Sequence, residues 1–171
     1  MFEKNTRKIN NVIAKMFAAC SVLVIVMAVL SILDVFEFGD TYTAIVLVAG
    51  LIITVSPMLL IRFVPPYIMK YYMLIILSVF IGILGTSNHI GIYITYALVP
   101  IFSCLYFDPK FTIKMYIISY LAMAASVYIN TKTNYEVLYM GKSHIEMFIA
   151  YLLGFTFEFL IVSMILIYLV R

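Results

Sequence analysis

The chain has 171 residues, of which 65% are hydrophobic and only 11% charged, with a net charge of +3 and a mean hydropathy of +1.14. Soluble domains are about half apolar and about a quarter charged, so one soluble core of this size cannot hide the excess. The basic residues stand singly near segment ends and form no basic face, which argues against nucleic acid as a partner.

The expected fold class is therefore all-α, a polytopic membrane protein whose first partner is the lipid bilayer. Apolar stretches long enough to span fall at residues 12–33, 42–61, 67–87, 89–107, 110–130 and 146–170, giving six transmembrane helices in one domain, 1–171. Nine of the eleven basic residues (Lys4, Arg7, Lys8, Lys15, Arg62, Lys70, Lys110, Lys114 and Arg171) fall on one side of that arrangement; Lys132 and Lys142 fall on the other. The positive-inside rule then puts both termini in the cytoplasm.

In the first segment, "FAAC" (17–20) looks faintly like a cleavage site, but "KINNVIAK" before it is too polar for a signal core. An uncleaved helix is expected. Cys20 there and Cys104 in the fourth segment have no partner at metal or redox spacing, so both are expected to be buried free thiols.

Membrane bundles pack through small and polar residues, and several segments repeat these at helical spacing. The second carries Thr43, Gly50, Thr54 and Pro57, and the third Ser78, Gly82 and Gly85, both expected to be packing seams. The fourth carries His89, Tyr93, Tyr96, Pro100 and Ser103. Its end, "YFDPK", predicts a tight inner turn: Asp108 caps the next helix and Pro109 takes the first helical position, where no N–H is needed. The fifth segment carries Thr112, Tyr116, Ser119, Met123, Ser126 and Asn130. Tyr67, Tyr71, Tyr72, Tyr106 and Tyr168 are expected at the membrane interface.

The sixth segment holds a lone carboxylate, Glu158, about halfway along an apolar run, with Tyr151 and Gly154 on the same helical face. A carboxylate facing lipid there costs about 2.5–3.5 kcal/mol, so the face should turn into the bundle. Tyr93, Tyr96, Ser103, Tyr116, Ser119, Tyr151 and Glu158 are then the candidate ligand-binding residues of a polar cavity among the last three segments. The same pattern also suits helix packing, with Glu158 hydrogen-bonding two helices together. His144-Ile145-Glu146, with His89 on the same side, has the side chains of a metal site, but interfacial histidines without metal are commoner, and neither a metal nor a cofactor is expected. No phosphate loop, nucleophile elbow or intramembrane carboxylate pair points to an enzyme.

The stretch "GTSNHIGIYITYALVPIFSCLYFDPKFTIKMYIISYLAMAASVY" resembles the N-terminal membrane regions of bacterial signalling proteins: diguanylate cyclases with GGDEF domains, histidine kinases and chemotaxis-type receptors. The matching pieces are Thr86-Ser87-Asn88, Pro100 and Leu105-Tyr106-Phe107-Asp108, with Lys110 as the basic residue; Pro109 departs from the charged or polar residue more usual there. The resemblance implies a non-catalytic sensory input module in a bacterial inner (plasma) membrane. Such a module, expected to be a homodimer, takes an unknown small ligand or membrane signal. It relays that signal through its last helix to a cytoplasmic output domain absent from this chain. An alternative is the substrate-binding component of an energy-coupling-factor importer. Those components share six helices and carry small residues four apart on the first helix, as do Ala14 and Ala18.

Overall fold

A computed structural model describes residues 2–33, 40–87, 93–133 and 143–170, and every regular element among them is helical. In chain order these are α1 (Phe2–Ile32), α2 (Asp40–Leu60), α3 (Pro66–Leu84), a 3₁₀ turn (Tyr93–Ala97), α4 (Leu98–Cys104), α5 (Pro109–Thr133) and α6 (His144–Val170). The chain forms two compact units, Met1–Phe80 and Ile81–Arg171.

The first unit is built on α1 and α2. Gly50 lets them close up: a Cβ there would sit 2.7 Å from a Val24 methyl carbon. At one end the hydroxyls of Ser31 and Thr43 share a hydrogen bond of 2.7 Å. The proline pair Pro65-Pro66 stops α2 from continuing and starts α3, because neither residue has an N–H to give and Pro66 occupies the first helical position. Asn10, 1% exposed, donates to the Pro66 carbonyl at 2.8 Å and ties α1 to that start. Ser56 and Tyr72 join α2 to α3 through their hydroxyls at 2.8 Å.

The second unit is organised by α5. Its start is as the sequence reads: the Phe111 N–H donates to Asp108 Oδ1 at 3.1 Å and the Thr112 N–H to the Asp108 carbonyl at 2.9 Å. Such a cap contributes about 1 kcal/mol. Before it the chain reverses at Phe107, whose φ of 51° lies in the left-handed region. The helix α6 opens with a reciprocal cap. Ser143 N–H donates to the Glu146 carboxylate at 2.8 Å, and Glu146 N–H donates back to Ser143 Oγ at 3.3 Å.

Among the described residues, five helices, α1, α2, α3, α5 and α6, are long and apolar enough to cross a membrane. On α6, Phe157, Ile161, Met164 and Ile165 are all more than half exposed, a surface suited to lipid and not to water. These features make the chain a helical membrane protein. The fourth segment, expected at 89–107, is wound more tightly than the other helices where it is described. Its described part is a 3₁₀ turn followed by a short α-helix, Tyr93 to Cys104, and the first residues of the expected span lie outside the described residues. Pro100 explains the tight winding, since it removes the N–H that would bond the Tyr96 carbonyl in a regular helix. Three successive bonds of the i→i−3 kind, Leu105 to Phe102, Tyr106 to Ser103 and Phe107 to Cys104, then end α4.

Candidate functional site

The polar side chains of the second unit meet around Tyr96. The 3₁₀ turn carries its ring into full burial (0% exposed), and its hydroxyl hydrogen-bonds Ser126 Oγ on α5. The backbone makes room at Gly85, where a Cβ would run into the Tyr96 hydroxyl and lie 3.0 Å from Ser126 Oγ. Asn130, one turn further along α5, donates to the Gly85 carbonyl at 3.1 Å. Ser119 Oγ donates to the Tyr96 carbonyl at 2.7 Å. That carbonyl is the one Pro100 cannot reach, so a side chain on α5 replaces the missing backbone donor. Of the inward stripe expected on α5, Thr112, Ser119, Met123, Ser126 and Asn130 are all at most 3% exposed, while Tyr116 is only half-buried.

This arrangement joins only some of the candidate residues. Tyr96 and Ser119 meet directly. Ser103, also buried, donates back to the Pro100 carbonyl of its own helix at 2.6 Å. Tyr116 lies flat against Phe159 of α6, ring centres 4.6 Å apart, and Tyr151 stacks on Phe155 at 6.1 Å. The side chain of Tyr93 lies outside the described residues. The groups around Tyr96 bond one another at close range, so they serve as a packed polar seam.

Glu158 departs from the expected orientation. It is exposed, and a Cβ on Gly154 would meet nothing within 4 Å. The neighbouring residue, Phe159, turns in instead (4% exposed), against Tyr116 and Tyr120. The Tyr120 hydroxyl and Thr156 Oγ1 add a hydrogen bond of 3.0 Å beside it. An aromatic ring with two aromatic partners buries more apolar area than a carboxyl, and successive residues are 100° apart on a helix, so turning Phe159 inward turns Glu158 away.

Two further expectations change. Cys20 is free but exposed, not buried. Tyr106, expected at the membrane interface, is 6% exposed and packs edge-on against Phe111 at 5.2 Å, while the adjacent Phe107 is 71% exposed. The Glu146 carboxylate is engaged in the α6 cap, and the His144 ring rests edge-on against Tyr128 at 5.1 Å. His89 lies outside the described residues, and no group of three metal-ligating side chains occurs among those described. The "SHIE" at 143–146 that forms the cap is a capping signature visible in the sequence, where His144 and Glu146 are weighed only as metal ligands, with no metal expected.

No protein-family model matches the chain, and neither does any curated protein or solved structure.

Proposed function

We propose that this chain is the non-catalytic input module of a membrane sensor. It crosses a bacterial inner membrane six times with both ends in the cytoplasm, works as a homodimer, and passes a ligand or membrane signal through α6 to a cytoplasmic output domain. The observation that carries the reading is the outward face of α6. Glu158 stands exposed about halfway along a 27-residue apolar helix, with Gly154 open one turn before it. Left to lipid, that carboxylate costs about 2.5–3.5 kcal/mol when ionised. A second α6 laid against the same face covers it, and Gly154 permits the close approach that brings two carboxyl groups within reach. Laid together about a two-fold axis, the two helices present the same residues to each other, as an isologous interface requires. The seam is then formed by the helix that leaves toward the output domain, and a small rotation there changes what that domain receives.

The test is an in-frame fusion of a diguanylate cyclase catalytic domain after Arg171, read as cellular cyclic di-GMP. Glu158→Leu is expected to shift the output severalfold at unchanged protein level, with Glu158→Gln remaining near wild type because it keeps the hydrogen bonds. Output indifferent to Glu158→Leu and to Gly154→Ile would sink the proposal.

A further inference from the structure

The first unit contains a cleft of about 670 Å³ at the end where α2 turns into α3, within the size range of ligand sites. One wall is α1, which presents Arg7, Asn11 and Lys15 at four-residue intervals and so on one face. Arg62, from the turn after α2, closes the same mouth. The lining therefore holds three cations and no carboxylate. None of the three is in an ion pair among the described residues, although Glu3 stands one turn before Arg7. The other wall is apolar, made of Val55, Leu59 and Phe63, which are 39%, 64% and 84% exposed.

From this we infer that the cleft binds an anionic phospholipid, headgroup phosphate between Arg7, Lys15 and Arg62 and acyl chain along Val55 and Leu59. Guanidinium groups suit phosphate because their planar donors engage two oxygens at once. The charge alone fits any phosphate. The adjoining alkyl wall selects an amphiphile over a free anion, since a soluble phosphate leaves Leu59 and Val55 uncovered. The depth is also right. The α1 helix has 31 residues and reaches about 46 Å, well beyond a core of about 30 Å, so its polar first turns stand at headgroup level while Lys15 extends toward it. The site is independent of the sensory role of α6.

The experiment reconstitutes the full chain in vesicles of phosphatidylcholine with a minor share of phosphatidylglycerol, extracts it gently, and counts retained lipids by native mass spectrometry. Phosphatidylglycerol is expected to be retained in excess over its share. Each basic residue near a membrane surface contributes about 1 kcal/mol, or about five-fold, so Arg7→Gln with Arg62→Gln should lower the enrichment by more than ten-fold. Both side chains are exposed, and an unchanged circular-dichroism melt verifies that the variant folds. Leu59→Trp, which fills the cleft and leaves the charges, should also lose the lipid, whereas Lys132→Gln should not. Three outcomes overturn the inference: equal retention of both lipids by wild type, displacement of the bound lipid by inorganic phosphate alone, and a variant whose oligomeric state changes while its lipid enrichment does not, which would assign the cleft to a second copy.

Discussion

Gly85 and Gly154 have the same side chain and opposite surroundings. At Gly85 a Cβ would strike the Tyr96 hydroxyl and crowd Ser126, both held by the bond between them. At Gly154 it would enter open space. Gly85→Ala should therefore cost about 1–3 kcal/mol, the usual penalty of overpacking. Gly154→Ala should stabilise the isolated chain by up to about 1 kcal/mol through helix propensity. Thermal melts in detergent decide both: a Gly85→Ala melt matching wild type would show that the Tyr96 hydroxyl has room to move. Sequence spacing marked both glycines as small packing residues, but spacing carries no information on what stands opposite. Only the neighbouring atoms separate the crowded glycine from the open one.

At the scale of the element, the repair of the Pro100 break by Ser119 is a testable coupling. Ser119→Ala removes a side-chain donor to the Tyr96 carbonyl, which Pro100 has no N–H to reach, and should cost about 1–3 kcal/mol. In a Pro100→Ala background, residue 100 regains an N–H aimed at Tyr96, and the same substitution should cost at least about 0.5 kcal/mol less. Strict additivity in the double-mutant cycle would show that Ser119 does not replace the backbone donor. The α5 face was legible because its polar residues recur against an apolar background, so period and burial agree. The Asp108 cap was legible because one residue type at one position performs the whole task. By contrast, α6 was misread. It is apolar nearly all round, so there was no periodic contrast to orient it, and the single charge was taken as the buried side. The side that wins is the one where Phe159 finds Tyr116 and Tyr120. The 3₁₀ turn at Tyr93–Ala97 was hidden for a related reason, since hydropathy records apolarity and not the pitch at which a chain is wound.

For the whole molecule, the expected six passes place the two ends of α5 on opposite sides of the membrane. In a background with Cys20 and Cys104 replaced, Thr133→Cys should react with an impermeant maleimide added outside, while Lys110→Cys should react only after permeabilisation. Outside labelling at position 110 would reverse the orientation and with it the cytoplasmic placement of the last helix. The polar seam also bears on how the protein is made. Of the five long helices α5 is the least apolar, and its serines and asparagine suit lipid poorly until they are bonded. The groups from other segments that receive them, the Gly85 carbonyl and the Tyr96 hydroxyl and carbonyl, all precede α5 in the chain. A nascent chain leaving the ribosome thus has each partner in the membrane before the helix that depends on it emerges, so the order of synthesis spares α5 a wait alone in lipid.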